Sequence, residues 1–171
     1  MGKFGARPFG PAKATCAVGT IGLSLWLLAG AAQADCAPGT VELRTTTGSV
    51  MRFSVEVADD AAERATGLMN RDRMATAAGM LFVYEAPQHA FFWMKNTLIP
   101  LDMVFADGTG RVTRVHDRAV PQDETSIDGG AGVRYVLEIN GGLANRIGLG
   151  EGAVMRTDVL DQATAAWRCD D

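Results

Sequence analysis

Apolar and polar positions alternate at several places along the chain, and the alternation predicts most of its elements. Within residues 51–57, Met51, Phe53, Val55 and Val57 fall on one side and Arg52, Ser54 and Glu56 on the other, the period-two pattern of a half-buried strand. Val41–Thr45 is the natural partner through a Thr46-Thr47-Gly48 turn. Asp60 followed three residues on by Glu63 makes a capping box. It predicts a short helix with Ala61, Ala65 and Leu68 on one face and Gly67 near its end. Residues 70–78 read as an irregular loop, and Met80–Tyr84 as an apolar strand stopped by Ala86-Pro87. From His89 to Met94 both faces are apolar, as in a central strand covered on both sides. Lys95–Pro100 breaks the pattern, and Leu101, Met103 and Phe105 resume it.

Asp107-Gly108-Thr109-Gly110 is a hairpin turn leading into a strand at Arg111–His116. Residues 117–132 are polar and rich in glycine and predict a long loop. Val133, Tyr135, Leu137 and Ile139 then alternate with Arg134, Val136 and Glu138. Asn140 is placed to cap a short helix carrying Leu143 and Ile147 and ended by Gly148, before a last strand near Ala153–Asp158. Many short strands with two or three short helices predict a β-rich α+β fold, a compact and partly closed antiparallel barrel or sandwich. Regular βαβ alternation is absent, which excludes a doubly wound nucleotide-binding fold.

The first 34 residues follow another logic. A basic stretch with Lys3, Arg7 and Lys13 precedes an apolar run from Val18 to Ala29, and Ala32-Gln33-Ala34 supplies small residues before Asp35. That order predicts a signal peptide over 1–34 and a single domain over 35–171. The expected location is exported, periplasmic or extracellular; the alternative is an uncleaved leader that anchors the chain to a membrane. The leader holds no acid, leaving 13 of the 16 basic residues against all 20 acidic ones, a net charge of −7 over 35–171. Such a balance gives no footing for nucleic acid. Of the three cysteines, Cys16 lies in the leader, so Cys36 and Cys169 remain as an even pair. In an oxidising compartment such a pair predicts a disulfide, with two separate terminal thiols as the alternative.

Chemistry concentrates in Phe91–Phe105. Lys95, the only lysine beyond the leader, adjoins Asn96 and Thr97, and Pro100 biases Ile99 toward extended geometry so that the chain can reverse toward Asp102. Lys95, Asn96, Thr97 and Asp102 are thus the candidate binding residues, a cation, amide, hydroxyl and carboxylate suited to a small polar ligand. The competing reading is a turn with a modest Lys95–Asp102 ion pair. The seven methionines beyond the leader are scattered, so Met51, Met80 and Met103 read as packing rather than copper ligands. His89 and His116 have no metal spacing, and Asp123, Glu124 and Asp128 lack that of a calcium loop. No metal or cofactor is expected.

Gly67-Leu68-Met69, Gly79-Met80-Leu81-Phe82-Val83, Phe92-Trp93-Met94-Lys95-Asn96-Thr97, Pro100-Leu101-Asp102 and Tyr135-Val136-Leu137-Glu138 together resemble the family known as domain of unknown function 192. The resemblance spans about residues 41–157 and implies a small β-rich domain, often exported, with no established activity. Where its members commonly carry Gly-Asp before the last strand, this chain has Glu151-Gly152. Three functions stay open: a module binding a small polar ligand or partner segment, a structural or assembly protein, and an enzyme with Asp102 or His116 as acid/base. Nothing in the sequence supplies a nucleophile matched to His116-Asp117, which weighs against the enzyme.

Overall fold

The computed structural model describes Gly2 and residues 36–171. The predicted signal peptide and its cleavage point lie outside the described residues. Residues 36–171 form one compact unit. Its strands are β1 (Thr40–Arg44), β2 (Val50–Ala58), β3 (Ala78–Phe92), β4 (Leu101–Ala106), β5 (Val112–Ala119), β6 (Ile127–Asn140) and β7 (Val154–Arg156). Two short helices join them, α1 (Ala61–Thr66) after β2 and α2 (Leu143–Arg146) after β6. The strands make one sheet in the order β5-β4-β6-β3-β2-β1-β7, curled into a half-barrel. At one end the outer strands meet, where Arg111 bridges to Val154 and the Met155 N–H donates to the Gly110 carbonyl. No helix among the described residues is long and apolar enough to cross a membrane.

The predicted β-rich class is the observed one, but the sheet is mixed. β2 and β3 run parallel, with Val55 opposite Gly79, because α1 carries the chain back to the start of the sheet before β3 begins. The Asp60 cap is present: its carboxylate accepts from the Ala62 and Glu63 N–H groups at 2.7 and 2.8 Å. Glu63 reaches back to the Asp59 N–H at 3.2 Å, one residue earlier than a capping box would have it. Pro87 does not stop β3. The pairing of β3 with β6 lapses between Val83 and Gln88, so the proline sits where no ladder N–H is needed. The expected loop over 117–132 shrinks to residues 120–126, because its glycine-rich part pairs, Ala90 lying opposite Gly130.

Both faces of the sheet are covered. One core gathers Val41, Leu43, Phe53, Leu81, Val104, Tyr135, Leu137 and Met155. The other gathers Met80, Phe82, Met94, Leu101, Met103, Phe105 and Val136. Neighbouring residues of β4 and β6 divide between the two cores, as strand alternation requires. Met80 and Met103 pack in the second core and Met51 against the first. Cys36 and Cys169 are joined as a disulfide, and near it Trp167 is buried between the guanidinium groups of Arg44 and Arg156, 4.4 and 4.3 Å from its ring.

Candidate functional site

The strand patterning that builds the second core also leaves a cavity at its edge, open to solvent beside Phe91 and Trp93. Phe82, Phe92 and Phe105 stack edge to face, with centroids 5.2 and 5.8 Å apart. Over them lies a cavity of about 190 Å³ lined by Phe82, Tyr84, Phe92, Trp93, Met69 and Thr97, with Arg64 and Glu138 also on its wall. Gly67 lines it too, at φ +48°, where an added Cβ would come within 3.1 Å of the Phe82 ring. The aromatic lining comes from the first half of β3 (Phe82, Tyr84), from its end (Phe91, Phe92) and from the turn after it; α1 and the segment behind it supply the facing wall.

Glu138 is the chemically unusual member. It lies near the C-terminal end of β6, between Met80 of β3 and Met103 of β4, and is only 5% exposed. No hydrogen bond or ion pair reaches its carboxyl among the described residues. Burial alone pushes the group up to about 8, so at neutral pH it is largely protonated. Gly79 fixes this part of β6 against β3, since a Cβ there would sit 2.5 Å from the Glu138 carbonyl oxygen. Tyr84, on the same wall, is raised by burial and partly offset by Arg64. Arg64 itself is engaged: its guanidinium donates to the Asp59 and Val83 carbonyls, pairs with Glu85 at 3.1 Å and lies 5.3 Å from the Tyr84 ring.

The four residues singled out from sequence are not brought together. Thr97 is 5% exposed and lines the cavity, with its hydroxyl donating to the Lys95 carbonyl at 3.3 Å. The Lys95 Nζ lies 5.0 Å from the centroid of Trp93, on a wall residue but not in the wall. Asn96 takes φ +54° at the head of the turn, and its carbonyl accepts from the Asn70 N–H at 2.8 Å. The turn is fixed in turn by the Met94 N–H donating to Asp123 and the Gln122 N–H donating to Thr97.

Asp102 stands on the other face of β4. It is fully buried and accepts from the backbone N–H groups of Arg118 (2.8 Å), Gly142 (2.7 Å) and Ala144 (2.7 Å). Those bonds cap α2 and hold Arg118, at φ +52°, in place. No Lys95–Asp102 ion pair forms among the described residues, because the sheet stands between the two faces. Asp102 also does what Asn140 was expected to do. The Asn140 amide instead donates to the Ala75 carbonyl at 2.9 Å.

The alternative acid/base candidate, His116, lines a separate cavity of about 460 Å³ with Arg114, Asp117 and Arg118. No hydrogen bond joins it to Asp117 among the described residues. His89 meets the Asp128 carboxylate at 2.7 Å and stacks on Phe91. Asp123 accepts from the Thr125 N–H, and Asp128 also accepts from the Gly130 N–H. Among the described residues no group of three His, Cys, Asp or Glu side chains is gathered to hold a metal.

Glu138 was missed from sequence because it looked like the polar side of a half-buried strand. The signal was Val136, an apolar residue on that same side, which marks the face as covered.

A mixed β half-barrel covered on both faces, with an aromatic cavity around a buried carboxyl, is the class that fold and site define. The chain belongs to the domain of unknown function 192 family (DUF192, described as an uncharacterised ACR), whose model matches residues 42–157. It is similar to a solved protein from Sinorhizobium meliloti 1021 described provisionally as a transcription regulator. That match has 40% identity and a TM-score of 0.67, covering 71% of this chain and 94% of the other. It is also similar to a protein of unknown function from Novosphingobium aromaticivorans DSM 12444, at 41% identity and a TM-score of 0.66, covering 68% and 82%. No curated protein matches the chain.

Proposed function

We propose that this protein is a binding module that holds a small ligand in the cavity between β3, β6 and the turn at residues 93–97. The observation that carries the reading is Glu138, a buried carboxyl without a protein partner on the wall of an aromatic cavity. Burying a polar group without a hydrogen bond costs stability, and a ligand that supplies the missing partner repays that cost. The aromatic walls give the ligand's apolar body a surface, and the cavity's size suits a body about as large as one ring. Relative to the sequence reading, the site keeps Thr97 and the Trp93 turn, gains Glu138, Tyr84 and Met69, and gives up Asp102.

The same reading places the protein outside the cytoplasm. Support comes from the Cys36–Cys169 disulfide, which suits an oxidising compartment, and from the basic-then-apolar order of residues 1–34. The acidic balance supports a small-molecule role over a nucleic-acid one, whatever the S. meliloti protein does.

A ligand-observed NMR screen of small fragments tests the site. Fragments that bind the wild-type chain should be lost from Glu138→Gln and from Trp93→Ala, while both variants melt cooperatively. His116→Ala, at the other cavity, should keep them. Fragments that bind all three variants equally, or no binding to the wild type, would reject the cavity as the site and favour an assembly role.

A further inference from the structure

Resting on the cavity as the binding site, we infer that its ligand is an organic ammonium ion, held with its cationic head against Glu138 and among the aromatic rings. Phe82, Tyr84, Phe92 and Trp93 line one small space that opens to solvent past Trp93, which is 48% exposed, and the negative faces of such rings attract a cation. Two rings of this wall already hold cations: Lys95 lies 5.0 Å from Trp93 and Arg64 lies 5.3 Å from Tyr84. The rings are therefore suited to positive charge, and the only carboxyl on the wall has no cation of its own.

A carboxylate ligand fits this chemistry poorly, because Glu138 would have to stay protonated beside it. Arg64 is the only permanent cation on the wall, and three of its five N–H groups are engaged by the Asp59 and Val83 carbonyls and by Glu85. A neutral ligand would leave Phe82 and Phe92, the wall rings over which no cation lies among the described residues, without one.

Binding a cation then favours the ionised form of Glu138, so the complex forms with release of a proton. The charged and titratable groups around the carboxyl are few. β3 contributes Tyr84, α1 contributes Arg64, and β4 presents Met103, which does not titrate. The 93–97 turn adds Thr97 and, behind Trp93, Lys95. Tyr84 is raised by burial, and Glu138, pushed up to about 8, is the group that changes state near neutrality.

The test is calorimetry on the full chain with choline and n-butylammonium against their uncharged counterparts, 3,3-dimethylbutan-1-ol and 1-butanol, and against butyrate. Choline keeps its charge at every pH used, so its pH dependence belongs to the protein. At pH 9 each cation should bind at least tenfold tighter than its counterpart. Choline affinity should fall up to tenfold per unit below pH 8, with about one proton released at pH 7 when buffers of different ionisation enthalpy are compared. Glu138→Gln keeps the shape and should abolish both the preference and the pH dependence. If alcohols or butyrate bind as tightly as the cations, or if Glu138→Gln binds choline like wild type, the ammonium assignment falls while the cavity stands. Silence from every probe overturns the assignment too, and the fragment screen then decides the cavity separately.

Discussion

Glu138 shows how one side chain can couple a site to stability. Its carboxyl titrates near 8 in the folded protein and near the ordinary 4.5 once unfolded. Below pH 4.5 both states are protonated and the group imposes no charge penalty. Between 4.5 and 8 the unfolded chain gives up the proton that the folded one keeps, so stability falls as pH rises, by about 1.4 kcal/mol per unit. Above 8 the loss levels off. Glu138→Gln cannot ionise and should remove this slope. Denaturant midpoints at pH 5, 6.5 and 8 should therefore show the variant gaining on wild type as pH rises. A constant difference would mean that the carboxyl ionises freely in the folded protein.

Among elements, Asp102 acts as a joint. One carboxylate ties β4 to the start of α2 and to the bulged end of β5 through three backbone N–H groups. Two of these bonds are themselves buried. Asp102→Ala should therefore cost about 3–5 kcal/mol, read as a lower denaturant midpoint, and Asp102→Asn, which keeps one acceptor, should fall between. An alanine variant as stable as wild type would return Asp102 to the list of ligand contacts. Local pattern made β2, α1 and β4 legible before any coordinates, because Phe53 with Val55 and Leu101 with Met103 share faces through a period that needs no partner. The parallel β2–β3 pair was not legible: it depends on where α1 delivers the chain. For the same reason the WMKNT turn stood out, yet its neighbours did not. Thr97 and Glu138 are 41 positions apart in sequence and meet only through the order of strands, and Asp102, grouped with Lys95 from sequence, lies across the sheet from it.

At the scale of the whole molecule, the half-barrel is held at its far end by the Cys36–Cys169 bond, across a separation of 133 residues. Closing so long a loop restricts the unfolded chain, an effect of about 3–5 kcal/mol. Cys36→Ser with Cys169→Ser should lower the melting temperature and leave the sheet's far-ultraviolet signature intact. The tail should stay partly docked, since Trp167 is still stacked between Arg44 and Arg156. An unchanged melting temperature would show that the bond adds nothing to the sheet. Glu42 reinforces the same end, bound by Arg52 of β2 and Arg156 of β7. Burial works against its charge, but the two guanidinium groups outweigh it and hold the carboxyl below its ordinary range.

The position of that disulfide also orders events in time. A polypeptide emerges N-terminus first, so Cys36 appears before β1, and Cys169 only after β7. The two sulfurs can meet only once every described strand is available to pair. Oxidation then seals a sheet that hydrogen bonding and burial have already gathered, and a chain arrested before its tail emerges would carry Cys36 as a thiol open to capture by other molecules.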